Sequence, residues 1–134
     1  MNDLEQSRHS PVGAWHSSIT FPDGTVQRSL VLYSQEGNVT ETSTRFPARL
    51  VGIGLWRRTG DRTFEAFFEK FLFSKGEETP KVWVRVACSM TLNETGDEYT
   101  GEAKGIFMTM EREVVNTVPT RVKASRLGWS VGDV

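Results

Sequence analysis

Turn signals cut this chain at intervals that leave room only for short strands. Pro22-Asp23-Gly24 separates Trp15 to Phe21 from Thr25 to Ser34, Gln35-Glu36-Gly37-Asn38 leads into Val39 to Ser43, and Thr59-Gly60-Asp61 parts Ile53 to Arg58 from Arg62 to Phe73. Further on, Ser74-Lys75-Gly76 precedes Lys81 to Leu92, Asn93-Glu94-Thr95-Gly96-Asp97 precedes Tyr99 to Met110, and Thr117 to Leu127 closes the series. Gly, Asn and Asp tolerate the positive φ that short strand connections need. No segment sustains a 3.6-residue pattern, and Pro47 to Val51 has room for one short helical turn at most. The count is about eight strands at hairpin spacing, the number at which a sheet closes around side chains or one small ligand. The expected fold is all-β, a single small antiparallel up-and-down barrel.

Alternation assigns the faces. In the sixth strand Val82, Val84, Val86, Cys88, Met90 and Leu92 share one side and Trp83, Arg85, Ala87, Ser89 and Thr91 the other, so the first set is expected to point inward. In the seventh, Ala103, Gly105 and Phe107 alternate with Glu102, Lys104 and Ile106, and the small residues mark a face that a side chain or ligand approaches closely. The fifth strand is apolar on both sides. Phe64, Ala66, Phe68 and Leu72 share a face with Lys70, whereas Phe67, Phe71 and Phe73 share the other with Glu65 and Glu69. The sequence leaves open which looks inward; the Phe64 face is favoured because it is the more continuously apolar.

The 134 residues suit one domain. Residues 1–10 read as a flexible polar tail, 11–128 as the barrel and 129–134 as a C-terminal tail. Sixteen basic against 17 acidic residues give a net charge of −1, which leaves no electrostatic footprint for nucleic acid. Cys88 has no cysteine to pair with, and Met1-Asn2-Asp3-Leu4-Glu5 has neither the basic start nor the apolar run of a secretory signal, so a cytoplasmic location is expected. The longest apolar stretch, Phe64 to Phe73, is interrupted by Glu65, Glu69 and Lys70, and no membrane partner is expected.

Gly13-Ala14-Trp15 opens the first strand, where the glycine lets backbone approach and the indole covers the end of a small core. Together with Gly54-Leu55-Trp56 and the strand openings Gly60-Asp61-Arg62-Thr63-Phe64 and Gly96-Asp97-Glu98-Tyr99-Thr100-Gly101, it resembles the bacterial lipocalin-like domains of the calycin superfamily. The resemblance runs from about Pro11 to Leu127. It implies that Trp15 packs across the closed end of the barrel against an arginine of the last strand, with Arg126 the first choice and Arg121 the second. It also implies a hydrophobic small molecule as ligand, or, as in a few related barrels, cyclisation or isomerisation of such a molecule.

Specific chemistry is sparse. With His9 in the tail and His16 pointing outward if Trp15 points in, neither a metal site nor a Ser-His-Asp triad is expected, and no cofactor. Cys88 reads as a buried structural thiol. Arg45, Arg49, Arg57 and Arg58 surround the connection from strand three to strand four with Phe46, Pro47, Leu50 and Val51, an apolar loop edged with guanidinium groups that suits a rim receiving a carboxylate or phenolate head. The expected ligand-binding set is Arg45, Phe46, Arg49, Trp56, Arg57, Phe64, Phe68, Val86 and Phe107. Two functions follow. One is binding of a small, largely hydrophobic molecule. The other is a cofactor-free cyclase or isomerase, for which Glu65, Glu69, Lys70 and Tyr33 are the candidate catalytic groups, because carboxyls desolvated among aromatic rings gain raised pKa values useful near neutral pH. Trp83, Ile106, Met108 and Met110, on faces expected to point outward, would allow a homodimer.

Overall fold

The computed structural model of the chain describes residues 9–44, 51–73 and 76–131. Eight antiparallel strands follow one another around a closed barrel: β1 (Gly13–Thr20), β2 (Val26–Tyr33), β3 (Asn38–Ser43), β4 (Gly52–Arg58), β5 (Thr63–Leu72), β6 (Val82–Leu92), β7 (Glu98–Met108) and β8 (Val114–Arg126), with β8 pairing back onto β1. The up-and-down barrel of about eight strands is therefore the fold. Each strand has the expected period of two. The inward set in β6 is the one the alternation assigns, and in β5 Phe64, Ala66 and Phe68 are buried, which settles that strand in favour of the Phe64 face. No helix among the described residues is long and apolar enough to cross a membrane.

Hairpin connectivity sends alternate turns to opposite ends, and the two ends differ. At one end Trp15, Tyr33, Val39, Phe64, Leu92 and Tyr99 pack into a plug with almost no exposure. Its rings meet edge-on or tilted, with centroids 4.7 Å apart for Trp15 and Tyr99, 5.3 Å for Phe64 and Tyr99 and 5.5 Å for Tyr33 and Phe64, the arrangements that ring quadrupoles favour. Tyr33 and Tyr99 satisfy their hydroxyls with one another at 2.9 Å. Below the plug Trp15 and Arg126 are cross-strand partners, and the guanidinium lies 4.3 Å from the indole centroid. Arg126 also donates to the carbonyls of Gly96, Val12 and Ser10, while Trp15 Nε1 donates to the Pro11 carbonyl at 2.7 Å. Gly13 makes this possible: at φ +125° it takes a conformation side chains rarely adopt, and a Cβ would stand 3.1 Å from Arg126 Nη1.

The opposite end is that of the β1–β2, β3–β4, β5–β6 and β7–β8 connections and, among the described residues, carries no comparable plug. Gly54 bends the wall between them. A Cβ there would lie 1.8 Å from the Phe67 carbonyl oxygen, so β4 can approach β5 this closely only without a side chain.

One face differs from its expectation. Met108, expected to point out and be available to a partner, is only 5% exposed. A register shift between Phe107 and Met108 places it between Trp83 and Val114, and the turn behind it brings Arg112 over the Trp83 ring.

Replacing Trp15 with Ala is expected to cost about 3–5 kcal/mol in denaturant unfolding, the range for deleting a large buried aromatic. Trp15→Phe should cost less, because it keeps a ring in the plug and loses mainly the bond to Pro11.

Candidate ligand-binding site: the barrel lumen

The lumen above the plug has two unlike walls. On the β5–β8 side, one continuous cross-strand row runs Trp56, Ala66, Cys88, Ala103, Thr120, each paired with the next. Four of the five are small, so the wall recedes there. Trp56 is held at the side of this row by its Nε1, which donates to the Ser34 carbonyl at 2.7 Å. A recess of about 1280 Å3 borders the row, but half of its lining faces outward, with Arg57, Glu65, Arg85 and Lys104 among it, so that volume lies on both sides of the barrel wall and is not the volume of the lumen. A second recess of about 640 Å3 lies at the open end, between Phe21 and Pro22 of the β1–β2 turn and Gln27, Thr44, Phe107 and Val118.

On the β1–β3 side polar residues take inward positions among the apolar Ile19 and Val31. Ser17 pairs with Ser29 and Ser29 with Ser43, while Gln27 and Glu41 occupy the positions beside them. Glu41 is 1% exposed and receives the Lys70 ammonium on both carboxylate oxygens, at 3.1 and 3.2 Å; the same ammonium donates to Ser43 Oγ at 2.9 Å. Phe68 lies beneath the pair, its ring against Gly52, where a Cβ would come within 2.7 Å of Cδ2. Burial pushes the Glu41 carboxyl above its ordinary value, and Lys70 pulls it part of the way back. Burial likewise raises both Tyr33 and Tyr99, which stay protonated, and pushes the Cys88 thiol up to about 12, with the nearby Glu41 charge adding to the effect. A thiol so held is a neutral lining group near neutral pH.

The structure distributes the residues expected from the sequence over several places. Lys70 faces the lumen. Phe68 and Val86 line it below the open end, and Phe107 borders the mouth recess. Phe64 and Tyr33 belong to the plug, where Tyr33 is bonded to Tyr99. Arg57, Glu65 and Glu69 face outward: Arg57 pairs with Glu65, and Glu69 accepts from Trp83 Nε1 at 2.7 Å, Arg85 at 2.6 Å and Arg112 at 2.5 Å. The Arg112 bond is the largest of the influences that hold Glu69 below its ordinary value. Arg45, Phe46 and Arg49, with Pro47 and Leu50, lie outside the described residues. What the sequence reading lacked is the polar wall. Its signal was present as alternation in Val39-Thr40-Glu41-Thr42-Ser43, where Glu41 shares the side of Val39, and in Gln27-Arg28-Ser29-Leu30-Val31, where Gln27 and Ser29 share the side of Val31.

A closed barrel of eight antiparallel strands fits a lipocalin-like, calycin-type fold, and a solved structure supports that class. The chain is similar to EF1p2_mFAP2b, solved bound to DFHBI, over 93% of its own length and 100% of the other's, with a TM-score of 0.60 and 12% identity. At that identity the likeness is one of fold. No protein-family model matches the chain, and no curated protein does.

Lys70→Met should destabilise the barrel by about 3–5 kcal/mol near neutral pH, because it leaves the Glu41 charge buried without a partner. The loss should shrink in acid. The Glu41 carboxyl is raised in the folded state, so the folded chain keeps its proton to a higher pH than the unfolded chain; this group's contribution is most favourable below the ordinary value of 4.5 and falls as pH rises through the raised one. Urea unfolding of wild type and variant at several pH values measures both effects.

Proposed function

We propose that this barrel binds a small, largely apolar organic molecule in its lumen, entering at the end opposite Trp15, and that the chain is a lipocalin-like member of the calycin superfamily. The observation that carries the reading is the row of Ala66, Cys88, Ala103 and Thr120. Four adjacent strands give up side-chain volume at one level, above a fully packed plug, and Cys88 keeps partial exposure although it faces inward. A core meant only to be filled would place large residues there. That EF1p2_mFAP2b, with the same fold, is bound to DFHBI supports the reading by analogy.

Catalysis by acid-base chemistry has less to draw on. The inward ionisable pair, Glu41 and Lys70, is committed to itself and to Ser43, while Glu65 and Glu69 are held by arginines on the outside. Binding is therefore the reading adopted.

Nile red, a neutral dye whose emission rises in apolar surroundings, should bind with a stoichiometry of one per chain. Ala103→Phe should keep the β-sheet circular dichroism at a cost of about 1–3 kcal/mol for overpacking, and should weaken dye binding at least about ten-fold. Unchanged binding in that variant would place the dye outside the lumen and remove the basis for the proposal.

A further inference from the structure

The polar wall says more about the ligand than that it is small. Each Lys70 proton has an acceptor: Glu41 Oε1, Glu41 Oε2 and Ser43 Oγ. The ammonium has no donor left to offer. The carboxylate is not exhausted, since two oxygens together accept about four hydrogen bonds and Lys70 supplies two. Beside this pair, on the neighbouring strand, Ser29 is 3% exposed and its hydroxyl has no hydrogen-bond partner among the described residues, although it points into the barrel. A buried hydroxyl left unpaired costs about 1–3 kcal/mol, so its place on the inner wall needs a reason. Gln27, two residues nearer the mouth on the same face of β2, continues the polar surface into the open-end recess.

The charged pair thus keeps acceptor capacity on Glu41 with no donor left on Lys70 and is electrically balanced, while the Ser29 hydroxyl beside it can accept or donate. A carboxylate or phosphate entering it would meet the Glu41 charge with, among the described residues, no uncommitted cation beside it, an arrangement that low-dielectric surroundings make costly. A cation would find the Glu41 charge already compensated. A neutral O–H or N–H would complete the unfilled positions. Elsewhere around the lumen Val86, Ala103 and Val122 offer only apolar contact.

Taking the lumen-binding reading as its basis, we propose that the ligand is a neutral molecule, apolar over most of its surface, with a hydroxyl or N–H donor at one edge that Glu41 and Ser29 receive. Two matched probes test this. 2-Naphthol and 2-methoxynaphthalene share a ring system, and only the first can donate; 2-naphthoate supplies the anion.

The expected result, by fluorescence titration or calorimetry, is that 2-naphthol binds about ten-fold more tightly than its methyl ether, the worth of one hydrogen bond to a charged acceptor, and that 2-naphthoate binds most weakly. Ser29→Ala and the double variant Glu41→Gln, Lys70→Met, which removes the ion pair without orphaning either charge, should erase the naphthol preference and leave the ether's affinity as it was. Equal affinities for naphthol and ether, both abolished by Ala103→Phe, would overturn the donor subsite while the lumen reading stands. Tightest binding of 2-naphthoate would overturn it in favour of an anion site. Failure of all three probes to bind, or binding indifferent to Ala103→Phe, would overturn both readings together.

Discussion

The stack of Arg126 on Trp15 is the contact on which the rest of the barrel depends. It anchors one end of the β1–β8 ladder, six residue pairs from Trp15–Arg126 to Thr20–Arg121, whose pairing leaves the sheet without open edges. The guanidinium is half-buried and donates to the carbonyls of Ser10, Val12 and Gly96, so its charge is met by dipoles from the N-terminal segment and from the β6–β7 turn. Trp15 then gives the plug a floor. Tyr99, Phe64 and Tyr33 stack upward from it, and because they fill one end completely, the remaining inward positions are free to be small. An empty or ligand-sized space in a 134-residue barrel requires that some other layer supply the apolar burial, and here the plug does so.

Placing Glu41 and Lys70 above that plug is not the most stable choice. Burying an ion pair commonly stabilises less than packed apolar residues of the same volume, because desolvation offsets the attraction. The arrangement also reverses part of the usual division between inside and outside along two strands. In β2 the residues Val26, Leu30 and Leu32 are each about half exposed while Gln27 and Ser29 are buried, and in β4 Ile53 and Leu55 are exposed while Gly52 is buried. Polar and small groups take inward positions on this side beside Val31, while Val26, Leu30, Leu32, Ile53 and Leu55 face out.

That reversal is why the sequence was only partly legible. Where polarity and burial agree, as in β6, alternation alone assigned every inward residue; turn chemistry placed the eight strands; and the resemblance carried by Gly13-Ala14-Trp15 selected Arg126. Where they disagree, hydrophobicity points the wrong way. Read by polarity alone, β2 would turn Leu30 and Leu32 inward, and Glu41 would pass for a solvated strand residue. Its partner lies 29 positions away on β5, the next strand but one, and is reached across Gly52, which pairs with Glu41 and places no side chain between the two. The fifth strand was ambiguous for a different reason. Its outer aromatics are real but covered: Arg85 lies 3.7 Å over Phe67, Arg112 lies 4.4 Å over Trp83, and Trp83 meets Phe71 edge-on.

Those outer contacts also fix the register of β5. A slip of one residue would exchange its faces, sending Glu65 and Glu69 into the lumen and Phe64 and Phe68 into water, and the apolar content of the two sides is similar enough that hydrophobic burial by itself discriminates weakly. Charge discriminates strongly. Adjacent residues Glu69 and Lys70 face opposite ways, and each is met by opposite charge on its own side: Arg85 and Arg112 outside, Glu41 inside. The slipped strand would bring Glu69 toward Glu41 and leave both outer arginines without a carboxylate. Arg112 reaches its place through a left-handed backbone conformation, φ 66°, in the β7–β8 turn, which an arginine adopts only where the surroundings hold it. The ion pairs that add little to stability therefore decide which of two similar faces becomes the lumen, and with it which side chains a ligand would meet.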